Sequence, residues 1–398
     1  MKILGIVAEY NPFHNGHKYH IEKAKELTGA DYIVVVMSGN FMQRGEAAVM
    51  DKWQRSRLAV ENGVDLVIEL PFIFACSKAQ SFASGAVDIL AGLGVTHIAF
   101  GSESGNIEEL KELVKLLDIH KEQIHDETNL AMDQGVSYAK GTELAVRKVL
   151  GEGYVSLMLD PNNILAVEYL KRIHEKNYNI EPVTVKRFGS GYYDADSHSG
   201  MAGATVIRSM ILHGKEFDSF VPESTTEALR SNHISEEKQK ENAFMLIKSD
   251  IIRNSAEKLS CIYHVGEGLE NKLKKEIFSS ESYDEFIDKL VSKRYTQASV
   301  KRMLTYIMMN MTEFELSCSF YARVLAAGER GRKLIKVLKK EEIAQIPIIT
   351  NINKENDTCE NVWEALKYDV LASDIYNLIS GRSIYDYSDR VIKPYIEV

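Results

Sequence analysis

Through the first hundred residues, short apolar runs alternate with segments whose apolar positions recur at helical spacing. Leu4 to Ala8, Tyr32 to Met37, Leu66 to Leu70 and His97 to Phe100 have the length and continuous apolarity of buried strands. Helical patterns near 16–28, 52–62 and 78–92 lie between them. This alternation predicts an α/β fold, a Rossmann-like parallel sheet with helices on both faces. One more strand is expected at Pro182 to Arg187, after a helix near 163–175, and the charged stretch 107–150 reads as helical with no sheet strand. Beyond about residue 215 the pattern changes to long amphipathic segments: 236–260, 266–279, 282–293, 297–311 and 313–326. The segment HGKEFDSFVPES combines Gly, Pro and Ser and marks a boundary. We therefore expect an α/β domain over 1–217 and a mainly helical domain over 218–398.

Composition narrows the class. The 398 residues carry a net charge of −9, which excludes a uniformly basic nucleic-acid coat protein but leaves room for a local basic patch. Cys76, Cys261, Cys318 and Cys359 form no CxxC pair, so a disulfide scaffold or zinc ribbon is not expected, and a reducing cytoplasm is the natural compartment. No apolar run approaches the roughly 20 residues of a membrane helix. The N-terminus reads as a first strand and not as a signal peptide.

The segment richest in chemistry follows that strand: Val7, Ala8, Glu9, Tyr10, Asn11, Pro12, Phe13, His14, Asn15, Gly16, His17, then His20 one turn on. Asn11-Pro12 ends the strand and Gly16 stands where a helix begins. A strand, a tight loop and a helix N-terminus present free N–H groups and a positive dipole end at the sheet's C-terminal edge, where anions bind in open α/β sheets. His14 and His17, three apart, can face one site. Imidazole N–H donors aimed at a phosphate stabilise charge that develops during displacement at phosphorus. Gly16 between them is expected to leave room for a base or ribose.

His14-Asn15-Gly16-His17 matches the HxGH signature of the nucleotidyltransferase superfamily. Further segments extend the match: Ser38 to Gly45 (SGNFMQRG), Glu69 within DLVIELP, Phe100-Gly101-Ser102-Glu103, Pro161-Asn162-Asn163-Ile164-Leu165 and Val185-Lys186-Arg187. Over nearly its whole length the chain resembles the bacterial tRNA(Met) cytidine acetate ligase family. The resemblance implies ATP-dependent activation of acetate to acetyladenylate, then acetyl transfer to N4 of the wobble cytidine of elongator tRNA(Met). It implies that residues 7–20 wrap ATP with His14 and His17 on the phosphates, and that Gly101, Asn162 and Arg187 join them. Asn162 is open to two readings, a helix N-cap or an amide on the nucleotide. Gly203 to Ser209 (GATVIRS) resembles the superfamily's second phosphate motif with its two serines replaced by Gly203 and Ala204, leaving Thr205 and Arg208. Mg²⁺ is expected with the triphosphate, yet no carboxylate cluster forms a metal cage; Glu9, Glu69 and Glu103 are candidate outer partners. No obligate protein partner is implied.

The RNA question falls in the second half. Residues 291–345 hold 11 Lys/Arg against 5 Asp/Glu, a local +6 in an acidic chain. Arg294, Lys301, Arg302, Arg323, Arg330 and Lys333 are the candidate phosphate contacts within it. Two other functions compete: a small-molecule adenylyltransferase sharing HxGH, and a noncatalytic tRNA-binding protein with a vestigial nucleotide fold.

Overall fold

The computed structural model describes residues 1–103, 105–159, 161–186, 200–231, 234–312, 320–357 and 360–397. Strands β1 (Ile3–Ala8), β2 (Tyr32–Ser38), β3 (Leu66–Leu70), β4 (His97–Ser102) and β5 (Glu181–Lys186) are parallel. Strands β6 (Ala322–Ala327), β7 (Ile348–Ile349) and β8 (Tyr395–Ile396) complete a sheet of order β5-β4-β1-β2-β3-β6-β7, with β8 also on β6. Alternate residues of the central strands enter different cores. Val34, Val36, Leu66 and Ile68 pack on one face, and Ile33, Val35, Met37 and Val67 on the other. Helices α1 (Asn15–Thr28) and α2 (Lys52–Glu61) cover the second face through Ile21, Ala24, Leu58 and Ala59. Ala79–Gly92 covers the first through Phe82, Ala86 and Val87. Burial on both faces explains why these strands are continuous apolar runs.

The expected helices are present, and 107–150 forms three of them, Ile107–Ile119, Lys121–Asp133 and Tyr138–Val149, with no strand. The main departure is in 313–326. Residues 313–319 lie outside the described residues, and 322–326, expected as helix, belong to strand β6. A short apolar run such as ARVLAA does not by its spacing distinguish a buried strand from a buried helix, and here all six residues are buried. Strand β6 runs antiparallel to β3, with Leu66 opposite Ala327 and Glu69 opposite Arg323. The second half is mainly helical, but it also closes the sheet. Residue 217 therefore marks a change in element type and not the edge of the sheet.

Candidate functional site

The strand order places β2 and β3 on one side of β1 and β4 and β5 on the other. Chain direction across the sheet thus reverses between β1 and β4, and the crevice at their C-terminal ends is where such sheets take ligands. The segment after β1 occupies it. Val7 and Ala8 close the strand half-buried, Asn11-Pro12 is a cis peptide, and Tyr10 and Phe13 are buried against each other with ring centroids 4.8 Å apart. The first turn of α1 begins after His14, which has extended backbone geometry.

His14 and His17 come together as expected. Their rings stack with centroids 3.6 Å apart, and the Tyr10 ring meets His17 edge-on at 4.8 Å. The backbone N–H of His14 donates to His17 Nδ1 over 3.3 Å. In neutral His17 the proton therefore sits on Nε2, the side away from its own loop. At Gly16 a Cβ would lie 2.9 Å from His14 Cε1, so the missing side chain makes room for the His14 imidazole. His20 lies on α1 three residues beyond His17, on the same side of the helix.

The second motif reaches the same loop across nearly two hundred residues. Arg208, on the helix Ala204–Leu212, donates from Nη1 to the Asn11 carbonyl over 2.8 Å and from Nη2 to Thr205 Oγ1 over 3.4 Å. Asn15 Nδ2 donates to the carbonyls of Gly200, at 3.1 Å, and Ser219, at 3.0 Å, which fixes the approach to that helix. Gly203 caps the helix without a side-chain bond, so Thr205 is the partner of Arg208 and not the cap. Gly101 is the penultimate residue of β4, beside Val185 of β5. Asn162 falls inside the helix Pro161–Lys176, which removes the N-cap reading, and its side chain is outside what the structure describes. Arg187 lies outside the described residues.

Sequence reasoning missed the groups that hold this edge in shape. Arg55 of α2 is fully buried and donates to the carbonyl of Glu9 at 2.6 Å, to those of Met50 and Ser38 at 3.0 and 3.2 Å, and to that of Gly39. One guanidinium thus ties the ends of β1 and β2. Gln43 donates its backbone N–H to Glu9 Oε1 at 2.7 Å and its side-chain amide to the Ser77 carbonyl at 2.8 Å. Glu46 accepts from Lys301 at 2.6 Å and has Arg208 at 3.9 Å. Burial acts to raise the Glu46 pKa, but these cations hold it below the usual carboxylate range. Gly45, with φ +80°, lets the loop reach the helix Gln297–Met308; a Cβ would collide with the Arg302 backbone.

The candidate RNA residues separate into three groups. Lys301 and Arg302, whose Nη1 donates to the Gln43 carbonyl at 3.3 Å, lie at the crevice edge. Arg294, exposed, pairs with Glu267. Arg330 and Lys333 belong to the helix Glu329–Lys340. Arg330 binds Asp65 Oδ1 at 3.0 Å and the Asp31 carbonyl, both just before strands, so this helix starts at the N-terminal edge of the sheet, opposite the crevice. Lys333 is exposed and pairs with Glu329 at 2.7 Å. Arg323 is not a surface residue: only 2% exposed, it sits in a buried ion network, which corrects its assignment to RNA. There Lys52 Nζ contacts Glu69 and Asp389, each at 2.7 Å, and Arg323 Nη1 contacts the same two at 3.0 and 2.8 Å. Glu69 is thereby consumed as a candidate metal partner. Asp369 lies nearby, accepting from Tyr321 OH at 2.6 Å, and burial with the Glu69 charge pushes its pKa up to about 7. Among the described residues no group of three or more His, Cys, Asp or Glu is placed to hold a metal, and no helix is long and apolar enough to cross a membrane.

Comparison with known proteins agrees with this geometry. The family model described as HIGH Nucleotidyl Transferase matches residues 1–389. A protein of Thermoanaerobacter sp. (strain X514) named tRNA(Met) cytidine acetate ligase is 39% identical over 390 residues, 95% of each chain. The crystal structure of Thermotoga maritima TmcAL in its apo form I superimposes with a TM-score of 0.91 at 29% identity, and form II with alpha-thio ATP bound gives 0.89 at 30%, each covering 100% of both chains.

Proposed function

Since the chain belongs to the tRNA(Met) cytidine acetate ligase family of HIGH nucleotidyltransferases, we propose that it activates acetate with ATP and acetylates N4 of the wobble cytidine of elongator tRNA(Met). The observation that carries this reading is the convergence of the His14/His17 loop and Arg208 at the crevice between β1 and β4. Residues 7–17, with His20, Gly101, Asn162, Arg187, Thr205 and Arg208, form the ATP site. The α1 N-terminus, the imidazole N–H groups and the Arg208 guanidinium face the phosphates. An acetate oxygen attacks the α-phosphorus, its bond to pyrophosphate breaks, and acetyladenylate remains. The donors on the phosphate stabilise the charge that develops at phosphorus. A Mg²⁺ carried by the triphosphate would neutralise part of its charge; among the described residues no group of three or more His, Cys, Asp or Glu would hold it.

The cytosine N4 amine then attacks the acetyl carbonyl and AMP leaves. Holding both reactants at one edge supplies much of the acceleration. Lys301, Arg302 and Arg294 contact RNA near the crevice, and Lys333 on the opposite edge meets a part of the tRNA away from the reacting base.

The test is incubation with ATP, Mg²⁺ and radiolabelled acetate, with and without elongator tRNA(Met), followed by digestion and nucleoside mass analysis. N4-acetylcytidine that requires both ATP and acetate supports the reading. ATP consumption without acetyl transfer to tRNA would favour a small-molecule adenylyltransferase.

A further inference from the structure

Glu9 is the first residue after β1 and stands between the histidine loop and the loop after β2. Both of its ends are fixed. Its carbonyl accepts from Arg55 at 2.6 Å, and its Oε1 accepts the Gln43 N–H at 2.7 Å. Its second carboxylate oxygen, Oε2, makes no hydrogen bond among the described residues, and the residue is partly exposed. This places a rigid carboxylate oxygen, open on one side, at an edge otherwise built to attract anions. A carboxylate there opposes the binding of a triphosphate, so its presence calls for a use.

The two half-reactions differ in what they need. Acetate attacks phosphorus already ionised and has no proton to lose. The cytosine amine must lose one as it becomes an amide. We propose that Glu9 is the general base of acetyl transfer: Oε2 takes a proton from N4 as that nitrogen bonds to the acetyl carbonyl carbon. The carbonyl carbon's bond to the adenylate oxygen breaks, and AMP leaves with that electron pair. The inference rests on the proposed acetylation of cytidine.

The surroundings suit a base. Burial raises the Glu9 pKa above the ordinary glutamate value, and Glu46 pushes the same way. The Gln43 N–H, Arg208 and Arg55 oppose them. Tyr169 and Cys76, on the elements packed alongside, are the other titratable groups that sense its charge. The net upward shift brings its basicity closer to working pH, where a general base is most effective.

Glu9→Gln keeps an oxygen to accept the Gln43 N–H and so keeps the local fold. With preformed acetyladenylate supplied, so that the ATP step is bypassed, single-turnover acetyl transfer to tRNA should fall by about 100-fold or more in this variant. The rise of the wild-type transfer rate with pH should vanish in Glu9→Gln and return in part in Glu9→Asp. Transfer from preformed acetyladenylate at the wild-type rate, or a pH dependence in Glu9→Gln equal to that of wild type, would overturn the assignment. A wild-type protein that exchanges pyrophosphate but never acetylates cytidine would remove the proposed function first and the Glu9 role with it.

Discussion

Two sets of charged side chains share the C-terminal edge of one sheet, and they are held in different ways. Around the loop after β1, the partners are mostly neutral backbone groups: His17 Nδ1 takes an N–H, Arg208 gives to the Asn11 carbonyl, and Glu9 takes the Gln43 N–H. At the end of β3, Lys52 and Arg323 meet Glu69 and Asp389, charge against charge, with all four side chains at most 3% exposed. A backbone partner fixes a group in place without cancelling its charge, so the charge remains available to a ligand. An ion network cancels its own charges and offers a ligand nothing. It instead joins α2 and β3 to β6 and the C-terminal segment, and so fastens the second half of the chain to the nucleotide-binding edge.

Replacing Lys52 by Met breaks the contrast from the structural side. Two buried carboxylates then share one Arg, and the loss of a buried partner costs about 3–5 kcal/mol. Chemical denaturation should show a large fall in midpoint with little change in slope; a midpoint close to wild type would mean that the network does not hold the halves together. Gly16→Ala acts from the other side. The new Cβ, 2.9 Å from His14 Cε1, displaces an imidazole in a helix that otherwise accepts Ala well. Stability should hold while adenylate formation drops by about tenfold to a hundredfold, as misplacement of a catalytic group does. A variant of undiminished rate would show that the His14 position is not critical. A smaller effect is expected from Lys333→Glu with Lys336→Glu, both exposed on the helix at the opposite edge. Binding of tRNA should weaken by roughly tenfold at low salt, less at high salt, with ATP activation unaffected. Unchanged binding would take that helix out of the RNA surface.

Much of this edge was legible in the sequence because its chemistry is local. HNGH after an apolar run specifies a strand, a turn and a helix within seventeen residues, and the structure has those elements. Arg208 was recognisable only as part of a motif; its contact with Asn11 depends on the path of the chain between them. The buried network was not anticipated, although a signal was present. Glu69 interrupts LVIEL and Arg323 interrupts ARVLAA, and a charge inside a buried strand requires an opposite partner. Two such strands with opposite charges are candidates to pair, and β3 and β6 do so with Glu69 opposite Arg323. Reading β6 as helix hid that pairing and put Arg323 on a surface. Arg55 left no comparable trace, since an arginine among the polar residues of α2 reads as solvated.

The central claim is that the loop after β1 performs activation. Acetate-dependent exchange of pyrophosphate into ATP tests it most directly, measured for wild type and His17→Ala with equal unfolding midpoints. We predict exchange by the wild type and a loss of about 100-fold or more in the variant, the effect of removing a donor from developing charge. Exchange by the variant at the wild-type rate would contradict the account.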